Sequence, residues 1–331
     1  MADNEKQKKR QQPPAEIWAY LIHLGKQMWG EYDKDRELAI DRSVWNAVTE
    51  RMAEKKLNTL VIDLGEGIRY PSHPDLGVKG SWEPEQMREE IARLKKMDIL
   101  AVPKLNFSSS HDHWLGDWRR LLSTPDYYRV CADVIRDVAD IFDESPLFHL
   151  GWDEETAAIQ RFAPLVRLRQ GDLWWHDFFF TVGEVEKAGM RAWIWSDSCW
   201  HHPEQFLKRM PKSVVQSNWY YGRDLSVEHL KAVDAKSPSN GGPRVVQVGT
   251  YRVLEEAGFD QIPCGSTYRK DSFQTQNFPA IVRHCRKVVA PERLKGFLMA
   301  PWLVEVNEAN RQMMLDSVDN VAVARDGNAE S

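Results

Sequence analysis

Three consecutive acids, Asp153-Glu154-Glu155, come two residues after an apolar run, Leu147-Phe148-His149-Leu150, with Gly151-Trp152 between. An apolar run of that length bounded by glycine reads as a buried strand of a parallel sheet, so the acids would emerge together at its C-terminal end. Two neighbouring carboxylates in a poorly solvated site cannot ionise equally: one pKa rises, and its owner can serve as a general acid. Glu154 is expected to take that role, with Asp153 ionised beside it to orient or charge-stabilise an internal nucleophile. The plainer reading makes Asp153 to Glu155 the capped first turn of a helix through Ile159. The buried strand and Gly151 just before the acids favour the chemical reading.

Similar residue types recur where other apolar runs end. Asp63 and Glu66 with Arg69, Lys104 and Asn106, Trp195 and Asp197, Asn218 and Trp219 with Tyr220, then Tyr268, and finally Trp302 and Glu305 all occupy such positions. Carboxylates, amides and flat rings in that mixture suit a sugar, whose hydroxyls need fixed hydrogen-bond partners and whose C–H faces stack on aromatic surfaces. His111-Asp112-His113 invites a metal reading, because His-x-His with a distant acid holds ions in hydrolases. The pair lies in a long polar loop, 106–123, and only His201-His202 provides further histidine near a later strand end. No metal and no cofactor are therefore expected, and His111 or Asp112 is read as reaching over the pocket toward the substrate. His149 is read as a structural residue below the site.

The elements that must position these groups follow from periodicity. Apolar runs at 17–24, 59–64, 99–105, 147–150, 191–197, 213–219, 261–265 and 295–302 predict eight strands. Helical spacing predicts helices over 41–56, 84–97, from 124–125 to about 141, 172–188, 245–257, 278–290 and 307–321, with a weak one beginning at 226. Pro84 fits a first helical turn and Gly258 a left-handed helix end. Eight strands alternating with helices predict an α/β fold, a single (β/α)8 TIM barrel over 16–321, with a flexible lead at 1–15 and a disordered tail at 322–331. Barrel enzymes build their sites at the C-terminal ends of the strands, where the candidate residues fall.

Composition narrows the partners. Lys and Arg number 44 against 49 Asp and Glu, giving a net charge of -5 without a basic stripe, so nucleic acid is excluded as a partner. No apolar stretch reaches the ~20 residues that span a bilayer, and 1–16 is polar. A cytoplasmic location is expected for the sequence as given, or export if a signal has been trimmed. The four cysteines lack paired spacing and are read as reduced thiols. Fourteen tryptophans against a mean hydropathy of -0.54 imply rings with work outside the core. Trp174-Trp175 and Phe178-Phe179-Phe180 are too apolar for a solvated helix, and a homo-oligomer surface is favoured slightly over a buried helix face.

The segment His149-Leu150-Gly151-Trp152-Asp153-Glu154 resembles the His-x-Gly-Gly-Asp-Glu motif of family 20 glycoside hydrolases, the β-N-acetylhexosaminidases, where it also closes barrel strand four. The resemblance implies that Glu154 is the acid/base. Asp153 then orients the 2-acetamido group of the substrate, whose carbonyl oxygen is the nucleophile. It also implies that Trp195, Trp219 and Trp302 wall the −1 sugar and that Glu305 lies near where hydroxyls are bound, and from their strand-end positions Arg69, Asn218 and Tyr268 are expected as further hydroxyl contacts. Two departures stand out. Trp152 replaces the second glycine, where it is expected to shrink or reshape the −1 pocket, and Trp302-Leu303-Val304-Glu305 is one residue longer than the family's Trp-x-Glu. Two other readings remain: a barrel glycosidase with Asp63, Asp197 or Glu305 as protein nucleophile and a substrate lacking the acetamide, and a carbohydrate-binding barrel without catalysis.

Overall fold

The computed structural model describes residues 10–28, 33–237, 242–267, 274–303 and 305–327. Eight parallel strands run β1 (Ile17–His23), β2 (Thr59–Asp63), β3 (Leu100–Lys104), β4 (Leu147–His149), β5 (Arg191–Trp195), β6 (Val215–Ser217), β7 (Cys264–Gly265) and β8 (Gly296–Met299). They are ordered β6-β5-β4-β3-β2-β1-β8-β7. The two ends of that list meet through parallel bridges Gln216 to Gln261 and Trp219 to Cys264, so the sheet closes on itself as a (β/α)8 barrel. Helices α1 (Arg42–Glu54), α2 (Pro84–Lys95), α3 (Pro125–Ile141), α4 (Gly171–Lys187), α5 (Ser198–His201), α6 (Pro203–Arg209), α7 (Val227–Lys236), α8 (Arg244–Glu256), α9 (Gln274–Val288) and α10 (Arg311–Asp326) complete the succession.

Local chemistry sets the ends of several helices. The Asp41 carboxylate accepts the N–H groups of Ser43 and Val44 at the start of α1, Pro84 and Pro125 open α2 and α3, and Gly258 closes α8 with φ +78°. The strands alternate between two cores. Trp18, Tyr20 and Ile22 face the helix layer, while Ile17, Ala19 and Leu21 face the barrel interior with Val61, Val102, Leu147, Trp193, Trp195 and Leu298. Burial on both sides explains why these strands read as unbroken apolar runs rather than as alternating ones.

Several expectations need correction. The strands are shorter than the apolar runs, β6 and β7 most of all: the C-terminal residues of most runs leave the ladder to form the rim, while β6 and β7 also lose residues 213–214 and 261–263 at their N-terminal sides. Residues 10–15 are not a free lead: the Arg10 guanidinium donates to the carbonyls of Phe142, Asp143, Ser145 and Ala188, tying the chain across the ends of α3 and α4. Residues 322–326 are not tail, since α10 runs to Asp326 with Ala324 buried. The aromatic run of α4 buries Trp175 and Phe178 inside the fold, leaving Phe179 partly exposed, so that face is chiefly an internal one. All four cysteines are buried and unpaired, and among the described residues no helix is long and apolar enough to cross a membrane.

Candidate active site

Inside the barrel, the uppermost inward layer is polar. His23, Asp63, Lys104 and His149 are successive neighbours in the strand register, and all four are buried. Lys104 Nζ lies 2.6 Å from Asp63 Oδ2, and His23 Nδ1 lies 3.1 Å from the same oxygen. Burial alone would raise the Asp63 pKa, but Lys104 and then His23 overcome it and hold the carboxyl well below the usual carboxylate range. Asp63 is therefore a fixed anion in the floor, committed to two partners. Burial, reinforced by the charge on Lys104, keeps His149 neutral, and its Nδ1 accepts the N–H of Gly151 at 3.1 Å.

Above this floor the chain leaves β4 through Gly151, Trp152, Asp153 and Glu154, of which all but Asp153 have positive φ, at 71°, 68° and 56° for Gly151, Trp152 and Glu154. A left-handed conformation is costly for tryptophan and glutamate, and such residues cluster where surrounding bonds enforce them. Those bonds are present. Asn106 accepts the Trp152 N–H at 3.1 Å, and Asp197 Oδ2 accepts the Glu154 N–H at 2.8 Å. Ser110 donates its hydroxyl to the Glu154 carbonyl at 2.7 Å. A Cβ at position 151 would overlap the Asn106 amide, so the glycine is required by close approach as well as by its φ.

The twisted backbone sends consecutive side chains to different places. Asp153 turns inward, where Asn106 Nδ2 donates to its Oδ1 at 2.7 Å and His111 Nε2 stands 3.5 Å from its Oδ2. Glu154 stays partly exposed, with Oε2 3.3 Å from the same His111 nitrogen. Trp152 turns outward instead of into the pocket. Its ring is packed by Trp174 and Phe178 of α4, lies 4.1 Å beneath the Arg169 guanidinium, and donates its N–H to Thr181. The expectation that it narrows the −1 pocket is thus overturned by the reversal of side-chain direction at the strand end.

The titration pattern differs from the one expected. Burial, then the charges of Asp153 and Glu154, push the Asp197 carboxyl well above the ordinary aspartate value. Asp153 is raised as well, by burial first, with His111 opposing and Glu154 adding. Both aspartates are thus pushed toward their protonated forms, and of the two it is Asp153 that has His111 and the Asn106 amide beside it to favour its charge. Burial would depress the His111 imidazolium, but Asp153 and Glu154 together outweigh it and raise its pKa.

The rings assemble around this group. Trp195 stands 5.7 Å from Trp302 and 4.5 Å from His149, Tyr221 stacks on Trp219 at 5.1 Å, and Tyr221 also meets the edge of Trp302 at 6.4 Å, all as centroid separations. Asp197 Oδ1 and the Trp195 indole N–H are buried without a protein partner among the described residues. Two expected contacts are committed elsewhere. Asn218 spends its amide on the Trp200 N–H and the Gln247 carbonyl, and Arg69 is paired with Glu83 at 3.0 Å on the exterior. Glu305 stands half exposed at the rim, 3.5 Å from Lys26 and bonded by Asn307. Tyr268 lies outside the described residues.

Some residues escaped the sequence reading. Tyr221, rather than Tyr220, joins the ring wall, as the two-residue period from Trp219 could have indicated. Glu155 forms a buried pair with Arg169, which also bonds the Phe107 carbonyl, and Arg167 grips both oxygens of Asp112 at 2.7 and 2.8 Å. Nothing in local sequence announces these pairs, whose members are 14 and 55 residues apart. His111-Asp112-His113 does not converge on one point: His111 faces the acids, Asp112 faces Arg167, and His113 Nδ1 faces the Met28 carbonyl. Among the described residues the one group able to hold a metal ion is His111, Asp153 and Glu154, whose donor atoms lie within 4.8 Å of one another.

No protein-family model and no curated protein matches the sequence. Solved structures do match in shape. An exo β-N-acetylglucosaminidase of glycoside hydrolase family 20 from Vibrio harveyi superposes with a TM-score of 0.62 at 16% identity over 95% of this chain and 54% of its own. A β-N-acetylhexosaminidase from Bacteroides fragilis gives 0.62 at 16% identity over 94% of this chain and 66% of its own. Dispersin B gives 0.58 at 13% identity, over 94% of this chain and 98% of its own. The chain therefore spans about half the length of the Vibrio harveyi enzyme and two thirds of the Bacteroides fragilis one, and it shares with all three the (β/α)8 barrel.

Proposed function

We propose that this protein is a glycoside hydrolase that removes a terminal 2-acetamido sugar with retention, using the acetamide of the substrate as nucleophile. The observation that carries the reading is the geometry at the end of β4: a partly exposed carboxylate, Glu154, and a buried one, Asp153, share one imidazole beside a ring wall. Glu154, reachable from outside, donates its proton to the glycosidic oxygen while the acetamido carbonyl oxygen attacks the anomeric carbon. Asp153, held by Asn106 and His111, accepts the acetamide N–H and stabilises the positive charge of the cyclic intermediate. Glu154 then takes a proton from the incoming water, and the oxygen of that water opens the ring. His111 is a positioning residue that fixes the distance between the two carboxylates.

The competing barrel mechanism needs a free carboxylate as nucleophile. Asp63 is committed to Lys104 and His23, Glu305 is at the rim with Lys26, and burial with the charges of Asp153 and Glu154 disfavours the ionised form that Asp197 would need for attack, which together favour the substrate-assisted route. The partners that fit are carbohydrates.

The test is a panel of chromogenic β-glycosides with and without the 2-acetamido group, run on the native chain and on Glu154→Gln. Turnover confined to acetamido substrates and reduced roughly 10²- to 10⁴-fold by Glu154→Gln, with ligand affinity nearly unchanged, is the expected result. Equal turnover of substrates lacking the acetamide would refute the internal nucleophile. Sugar binding with no turnover in either protein would indicate a binding barrel.

A further inference from the structure

The loops that follow β3 and β4 enclose a cavity of about 550 Å³, within the size range of small-ligand sites, and the catalytic scheme makes no use of it. It adjoins the acid pair through Ser110, which lines the cavity and also holds the Glu154 carbonyl. Its walls carry three arginines, Arg119, Arg120 and Arg167. The carboxylates nearby do not balance them. Asp112 is engaged by Arg167 on both oxygens, and Asp117 lies in solvent, 3.6 Å from Arg120.

Arg119 is the informative member. Its Nη1 is buried with no hydrogen-bond partner, although a guanidinium pulled from water normally finds one. Burial, and then the like charge of Arg167, press its pKa below the ordinary arginine value, the field expected where an anion would be welcome. His113, in the same wall, is pushed down to about 4 by burial and by Arg119, so it is neutral and adds no cation of its own. At the mouth, the Phe162 ring is 84% exposed, with the Arg161 guanidinium 4.7 Å from its centroid, and Leu165 is exposed beside it. A ring presented in this way offers a surface for the C–H face of a sugar.

We propose that this cavity is the subsite for the leaving-group side of the substrate, and that it selects a saccharide bearing a carboxylate or a sulfate. The inference rests on the glycosidase reading for its direction, since the occupant lies next to the acid that protonates the leaving-group oxygen. Its selectivity for an anion rests on the arginines alone. Arg119 and Arg120 grip the oxyanion, which guanidinium groups can meet with two parallel N–H donors, while Phe162 stacks on the ring that carries it.

The experiment is calorimetric titration of the full chain carrying Glu154→Gln with glucuronic acid, glucose 6-sulfate and glucose, repeated with Arg119→Gln and Arg120→Ala. At least one of the two anionic sugars should bind roughly 10-fold or more tightly than glucose, and each arginine variant should remove roughly 10-fold of that preference without changing the glucose affinity. Which anion binds more tightly identifies the natural group. Arg120, 65% exposed, can be truncated without threatening the fold, so the test survives a failure of Arg119→Gln to fold. Equal affinity for the three sugars, or a preference indifferent to Arg120, overturns the proposal. A native chain that hydrolyses simple acetamido glycosides yet shows no anionic preference overturns the subsite and keeps the activity. A chain that hydrolyses none but prefers the anions through Arg120 keeps the site and overturns the activity.

Discussion

Asn106 is the most exposing place to perturb the site, because its amide serves Asp153 and the strained backbone at once. Nδ2 donates to Asp153 Oδ1 at 2.7 Å, while Oδ1 accepts the N–H groups of Ser108 and Trp152, each at 3.1 Å. Asn106→Asp keeps the shape and both acceptor bonds but turns the donor into a second carboxylate facing Asp153. With the two charge centres about 4 Å apart and an effective dielectric near 20, the repulsion is about 4 kcal/mol. An unfolding entropy of ~2.1 cal/mol/K per residue gives about 0.7 kcal/mol/K for this chain, so the apparent Tm should fall by about 6 °C at pH 8. The repulsion raises the folded-state pKa values of both carboxyls above their unfolded values. Stability is then retained below the unfolded value and lost as pH rises, so the deficit should shrink toward pH 4, where a protonated Asp can again donate. Thermal unfolding of both proteins from pH 4 to 8 measures it, and kcat for an acetamido glycoside should fall alongside. A variant within 1 °C of the native protein at pH 8, or one with the same deficit at pH 4 and pH 8, would refute the placement of Asp153 against this amide.

The remaining expectations concern the neighbours. Asp153 is raised by burial while His111 works against the rise, so His111→Gln should move the acidic limb of the kcat/KM profile to higher pH, and a move to lower pH would contradict the pairing. Asp63→Ala leaves Lys104 buried without its partner and should cost about 3–5 kcal/mol by denaturant titration, most of it recovered when Lys104→Met is added. Trp152→Gly loses the packing under α4 but relieves a left-handed residue. The loss of about 3–5 kcal/mol expected for the ring, less about 1 kcal/mol for the backbone, leaves a net destabilisation of about 2–4 kcal/mol. Because the ring faces away from the pocket, kcat of the folded fraction should be unchanged, and a large fall in kcat would place the indole in the site after all.

The barrel itself was legible because its physics is local and repetitive. Strands buried on both faces leave continuous apolar runs, helices leave a 3.6-residue period, and caps such as Asp41, Pro125 and Gly258 mark their ends within a few residues of chain. The same logic located Asp153, Glu154, Asn106, Trp195 and Asp197, since a barrel presents its C-terminal strand ends on one rim. Asn218 and Arg69 share that position in sequence but not that orientation. Asn218 is consumed by Trp200 and Gln247, and Arg69 by Glu83, through contacts no spacing rule describes.

Sequence alone thus determined the alternation of elements and the rim on which the candidate residues gather, because each depends on residues near in the chain. Tertiary structure decided where the side chains point and how they titrate. Only the assembled fold lays Lys104 against Asp63, brings His111 between the two acids and turns Trp152 out toward Arg169. Direction at a strand end and the energy of a buried charge both depend on residues distant in the chain, and those partners meet only when the elements pack together.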